Sequence, residues 1–160
     1  STRKESSAAS DVYKRQSLTK IMTSYVLAEE VDAGRASLDD MIKVSRNAWS
    51  QNPTFKGSSL MWIEPGKPVS LADLERGVII SSGNDASVAV AEYLAGTESS
   101  FVDVMNQLAE ELGLDNTVYR NPHGLPHPEH RTTARDLATL SVALINGHPE
   151  HCDVAPTLLH

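Results

Sequence analysis

A chain of 160 residues, 40% of them hydrophobic and 5% aromatic, has room for one modest domain with a real core. Its formal net charge of −7 gives nucleic-acid binding no electrostatic support. No apolar run approaches the roughly 18 residues needed to span a membrane, and the single Cys152 excludes an internal disulfide.

Residues 1–16 carry no helical or strand period. From Ser6 to Gln16 they resemble the conceptual translation of a sequencing adapter, and Ser1 to Glu5 resemble the bases that precede one, so the segment is set aside as an artefact. The remaining chain then starts at Ser17 and is more acidic still. A helix is predicted from Ser17 to about Ala33-Gly34, with Gly34 as its stop. Ser37 to Asp40 reads as a turn, Met41 to Val44 as a short strand, and Asn52 to Gly57 as loop. A second short strand is predicted from Ser58 to Ile63, closed by Pro65-Gly66.

Ser70, with Asp73 three residues on, marks the start of a helix whose apolar stripe is Leu71, Leu74, Val78 and Ile79. The stretch Ile80 to Asp85 breaks it. A strongly apolar helix follows through Ala86, Val88, Ala89, Val90, Ala91 and Leu94, and should be buried on most sides. Ser99 or Ser100 is read as the cap of the next helix, which carries Phe101, Val104, Met105, Leu108 and Leu112 up to Gly113. An extended piece around Thr117 to Tyr119 and a loop from Pro122 to Pro128 lead to a last helix, starting at Thr132 or Thr133 and ending near Asn146-Gly147.

No clear period continues into 148–160. The tetrapeptide His-Pro-Glu-His occurs at 127–130 and again at 148–151, but its spacing does not suit a metal and proline prevents a regular helical face, so these read as solvated loop histidines. Trp49 and Trp62 read as core, Arg135 and Asp136 as a structural ion pair, and His123-Gly124 as a turn glycine beside a packed histidine.

Two short motifs carry chemistry. In Ser17-Leu18-Thr19-Lys20 a hydroxyl stands three residues before an amine at a helix start, which puts both on one face one turn apart. Unpaired N–H groups and the positive end of the helix dipole favour negative charge near that serine, and a desolvated lysine can take its proton. The bland reading is a chance pair on a helical surface. Ser82-Gly83-Asn84 lies in a tight connection between two apolar helices, and such residues are ordinary turn formers. The functional reading is a polar tip aimed at a cleft, where Ser82 relays a proton and Asn84 binds substrate and the lysine.

Together these motifs resemble those of the low-molecular-mass penicillin-binding proteins, the serine D-alanyl-D-alanine carboxypeptidases. The likeness runs through S-L-T-K-I-M-T-S-Y-V from Ser17, F-K-G-S-S-L-M-W from Phe55, S-G-N-D-A from Ser82 and N-P-H-G-L from Asn121, and reaches about Ile145. It implies an α/β fold of the β-lactamase/DD-peptidase kind. This chain would supply mainly the helical subdomain over 17–147, with a few short strands, the central sheet largely missing, and an uncertain truncated tail over 148–160.

The same resemblance implies a mechanism. Ser17 attacks the carbonyl between the terminal D-alanines of a peptidoglycan stem peptide, with Lys20 as base. Ser82 passes a proton to the departing D-alanine, Gly83 and Asn84 bind substrate, and the Ser17 N–H supplies half of an oxyanion hole. No cofactor or metal is implied. β-Lactams would acylate the same serine as slowly released inhibitors, and the enzyme would act in the periplasm or on the outer face of the cytoplasmic membrane, anchored by a C-terminal helix not in this sequence. No K-T-G follows S-G-N, and Lys56-Gly57-Ser58 precedes it in the wrong order, so the polypeptide as written is expected neither to fold natively nor to hydrolyse peptide.

Three rivals remain. A D-alanine endopeptidase shares the motifs. A class A β-lactamase wants aspartate where Gly83 stands and a downstream E-x-x-L-N, and has neither. A non-catalytic helical binding module predicts that Ser17→Ala and Lys20→Ala leave penicillin labelling unchanged.

Overall fold

Between Lys20 and Glu29 the sequence has no charged residue, and this stretch becomes the spine of the molecule. The computed structural model describes residues 19–153; within it helix α1 occupies 19–32, and every side chain from 19 to 28 is buried. Ser17 and the segment 1–16 lie outside the described residues.

Four further helices surround the spine: α2 (Leu71–Ile79), α3 (Asn84–Ala95), α4 (Glu98–Glu111) and α5 (Ala134–Gly147). The core has two halves. In one, Ile21, Met22, Tyr25 and Val26 of α1 meet Ala91 of α3, Phe101 and Met105 of α4, and Leu140 and Leu144 of α5. In the other, Leu27 joins Leu71, Leu74 and Val78 of α2, Val88 and Val90 of α3, and Phe55 and Ile63 from the connection before α2. Helices α1 and α3 serve both halves, which explains why their sequences are apolar nearly all round while α2 and α4 have one apolar stripe each.

Helix starts follow hydroxyl caps. Ser70 Oγ accepts the Asp73 N–H at 3.1 Å and opens α2 as expected. Helix α4 is capped by Thr97, whose Oγ1 accepts the Ser100 N–H at 3.0 Å, rather than by Ser99 or Ser100. Thr133 caps α5 through the Asp136 N–H. The carboxylate of buried Asp136 turns away from Arg135 and accepts from the Asn116 N–H and the Thr117 hydroxyl, so the expected ion pair is replaced by a clamp on the preceding loop.

The strand expectations needed more correction. Only Met41–Ile42 (β1) and Val69–Ser70 (β2) pair, antiparallel, with Met41 opposite Ser70 and Ile42 opposite Val69. Residues 58–63 form no strand. Their backbone N–H groups go to a side chain instead: the Asp85 carboxylate accepts from Met61 at 2.8 Å, Trp62 at 2.9 Å and Ile63 at 3.2 Å. Bending around that carboxylate puts Trp62 in the left-handed region at φ 67° and turns its indole outward, 70% exposed, where the sequence suggested core. Val118 and Arg131 make one isolated antiparallel bridge, which closes the loop between α4 and α5.

The end of the described chain is also more ordered than its lack of period suggested. Pro149–Asp153 is a short 3-10 helix. His130, His148 and His151 are buried, not solvated; of the histidines in the two His-Pro-Glu-His copies, only His127 is exposed.

Candidate active site

Lys20 stands in the first described turn of α1 and is only 2% exposed. Among the described residues it forms no salt bridge, and burial alone lowers its pKa from 10.5 to about 8. A lysine in this state carries a substantial neutral fraction near pH 7 and can accept a proton.

The loop 121–130 is fastened to α1 on the helical face beside this lysine. Thr23 donates its hydroxyl proton to the Pro122 carbonyl at 2.7 Å, and Thr19 Oγ1 is hydrogen-bonded to His130 Nε2 at 2.9 Å. Within that loop His123 is 5% exposed, accepts the Leu125 N–H on Nδ1 at 3.1 Å, and meets the Phe55 ring edge-on at 6.1 Å between centroids. Burial, with smaller contributions from the Lys20 charge and from His130, pushes its pKa down to about 3, so its ring is neutral. The sequence placed it as a packed histidine, and packed it is, against Phe55 and within reach of the lysine charge.

The second motif lies where α2 gives way to α3. Ser82 is half-buried at φ 48°, the Gly83 N–H bonds the Gly77 carbonyl at 2.9 Å, and Asn84 begins α3. A Cβ on Gly83 would come within 3.1 Å of both Asp85 Oδ1 and the Met61 nitrogen, so this close approach of backbones favours glycine. Asn84 is 2% exposed; its N–H bonds the Ser59 carbonyl at 2.9 Å, while its side-chain Oδ1 accepts no hydrogen bond among the described residues. A buried amide oxygen without a partner is costly, and it can accept one further N–H.

No direct bond joins Lys20 to Ser82 or Asn84 among the described residues. They are tied to a common wall: the turn of α1 that carries Lys20 is bonded to the loop 121–130, His123 of that loop meets Phe55, and the segment from Phe55 reaches Ser59, which holds Asn84. Asp85 is the organiser that motif reading missed. It is fully buried, and its four accepted N–H groups, from 61–63 and Ala86, lock that wall to the Ser82-Gly83-Asn84 turn. The available signal was the pairing of G-S-S-L-M-W with the D of S-G-N-D-A, two stretches the sequence reading noted separately. Among the described residues no cluster of three or more histidine, cysteine, aspartate or glutamate side chains suits a metal ion, and no helix is long and apolar enough to cross a membrane.

Comparison with known proteins identifies relatives in sequence and in fold. The family model described as D-alanyl-D-alanine carboxypeptidase matches residues 6–157. The D-alanyl-D-alanine carboxypeptidase DacC of Escherichia coli is 51% identical over 135 residues, which are 84% of this chain and 34% of that relative. Penicillin binding protein 5 of Haemophilus influenzae superposes with a TM-score of 0.84 at 41% identity, over 87% of this chain and 40% of that one. Penicillin binding protein 6B of Escherichia coli gives 0.81 at 49% identity, over 84% and 43%. The chain thus spans about a third of the length of the curated relatives it matches.

Proposed function

This chain belongs to the D-alanyl-D-alanine carboxypeptidase family, and we propose that the full-length protein carrying it trims the terminal D-alanine from peptidoglycan stem peptides and is acylated by β-lactams. Its fold is that of the penicillin-binding DD-peptidases, seen here as a mainly helical portion with one two-stranded sheet.

The observation that carries the reading is the buried Lys20, its pKa lowered to about 8 in the helix turn that follows Ser17. In the proposed cycle Lys20 accepts the Ser17 proton as the serine oxygen attacks the carbonyl between the two terminal D-alanines. The proton taken by Lys20 is then relayed through Ser82, which gives its hydroxyl proton to the departing amine and receives the one on Lys20, so that D-alanine leaves neutral at that nitrogen and the stem peptide stays as an ester on Ser17. The free Asn84 Oδ1 receives a substrate amide N–H, and Gly83 lets the substrate approach the turn closely. Water then hydrolyses the ester. The reaction takes place outside the cytoplasmic membrane, where the stem peptide is found. Without a K-T-G after Ser82-Gly83-Asn84, the 160-residue chain by itself is proposed to be inactive.

Fluorescent-penicillin labelling and release of free D-alanine from a stem pentapeptide test the proposal in the full-length protein. Ser17→Ala should abolish both, and Lys20→Ala should slow acylation by about two to four orders of magnitude, the usual worth of a positioned base. Undiminished labelling of either variant would overturn the assignment. Faster cleavage of cross-linked dimers than release of D-alanine would move the activity to the endopeptidase class.

A further inference from the structure

We infer that His123 is a positioning residue for Lys20: the loop 121–130, fastened to α1 by Thr19 and Thr23, lays a neutral imidazole against the lysine amine and keeps it dry. The inference rests on the catalytic reading of Lys20 given above. Its grounds are geometric. Thr19 and Thr23 project from one side of α1 beside Lys20, and both are fully buried with their hydroxyls bonded into the loop, to His130 and to the Pro122 carbonyl next to His123. The loop is held internally as well. Asn121 Oδ1 accepts the Gly124 N–H at 2.6 Å, and its amide donates to the Leu125 carbonyl at 2.9 Å. The loop backbone is therefore fixed on α1, and the imidazole is held within it by the Leu125 N–H.

Its protonation state is fixed by the same contacts. Nδ1 accepts from the Leu125 N–H, so the one ring proton sits on Nε2, and an imidazolium would set a second donor against that N–H. The titratable neighbours are few: Lys20 from α1, His130 from the same loop, and Tyr119, whose ring stands edge-on to His130 at 5.7 Å and whose hydroxyl is held protonated by burial. Phe55 closes the opposite side of the ring without any charge. The depressed histidine pKa, about 3, agrees with a ring that stays uncharged wherever Lys20 titrates. His123 thus contributes bulk and exclusion of water, and exclusion of water is what lowers the lysine. Were water admitted at that position, the amine would move back toward its ordinary value of 10.5 and lose most of its neutral fraction near pH 7.

The test is the pH dependence of Ser17 acylation by a fluorescent penicillin in the full-length protein. Wild type should rise with pH through an inflection near 8, since the deprotonated amine is the active form. In His123→Ala the inflection should move up by a unit or more, with acylation at pH 7 falling at least about tenfold and the rate at pH 10 largely recovering. His123→Phe, which keeps an uncharged ring there, should retain the wild-type inflection. Should His123→Ala not fold, Thr23→Val, which releases the loop but keeps the imidazole, should show the same upward shift. An unmoved inflection in the folded alanine or valine variant, or an equal shift in His123→Phe, would overturn the inference. The Lys20 side-chain resonance, followed by NMR titration in the Ser17→Ala protein with and without His123→Ala, reads the same shift without catalysis. A lysine shift in a protein that penicillin does not label would leave the inference standing and sink only the enzymatic reading.

Discussion

Asp85 satisfies four backbone N–H groups with one buried carboxylate. An asparagine in its place would retain one oxygen and turn an NH2 group toward donors. Asp85→Asn should therefore destabilise the protein by about 3 kcal/mol, because charge-assisted bonds are lost and buried donors are left without partners. Thermal melting would read that loss, and the fluorescence of exposed Trp62, whose backbone N–H donates to Asp85, should change with it. Gly83 makes a narrower prediction. An added methyl would press on the Met61 nitrogen and Asp85 Oδ1 at 3.1 Å and on the Gly77 carbonyl at 3.2 Å, none of which is a flexible side-chain end free to move aside. Gly83→Ala should cost about 1–2 kcal/mol by overpacking, measured as a lower melting temperature. Neither effect is visible in the Ser82-Gly83-Asn84 tripeptide itself, which reads equally well as an ordinary turn.

Helices in this chain were legible wherever a hydroxyl cap met an apolar stripe, and strands only in part: β1 begins at the expected Met41, whereas residues 58–63 form none. The cap of α4 shows how local the error can be. Thr97, Ser99 and Ser100 are all acceptable caps by type, and only the bond from the Ser100 N–H to Thr97 Oγ1 identifies which one serves. Thr97→Ala should lower stability by about 1 kcal/mol, while Ser99→Ala, at an exposed position, should change it by less than about 0.5 kcal/mol. Urea denaturation of the two variants separates them. For residues 58–63, a short apolar run closed by the Pro65-Gly66 turn suggested a strand, but such a run says only that the segment is apolar and bounded. It does not say whether the backbone finds a neighbouring strand or, as here, a carboxylate 22 to 24 residues away.

At the scale of the whole molecule, the 3-10 helix at 149–153 is tied to α1 and α2 by an acid–imidazole network. His148 bonds Asp32 and, at 2.9 Å, Glu29, with the Tyr25 ring edge-on to it; His151 bonds Glu75 at 2.6 Å and approaches Asp32 at 3.6 Å. The Glu75 hydrogen bond, with Asp32 behind it, raises the His151 pKa above its ordinary 6.5, and the His148 bond lowers that of Asp32 below 3.8. A raised histidine stabilises the fold fully below its unfolded value and loses that contribution as pH rises through its folded value. A lowered aspartate stabilises above its unfolded value and loses its contribution as pH falls through its folded one. Both act together between roughly pH 4 and 6.5. Stability should therefore decline as pH rises above the ordinary histidine value of 6.5 in wild type, and decline less in His151→Gln, as read from urea midpoints at a series of pH values.

The sequence alone settled what depends on neighbours within a few residues: the apolar spine after Lys20, the starts of α2 and α5, and the two short motifs whose combination pointed to a DD-peptidase. Those features arise from helical period, capping hydroxyls and turn chemistry, all of which act over one or two turns. Tertiary structure alone decided that Lys20 is dry, that His123 is the neutral ring beside it, that Asp85 takes the place of a strand, and that the late histidines are buried acid partners rather than solvated loops. Burial, and with it a pKa or an unpaired amide oxygen, is a property of groups brought together from distant parts of the chain, and no local pattern encodes it.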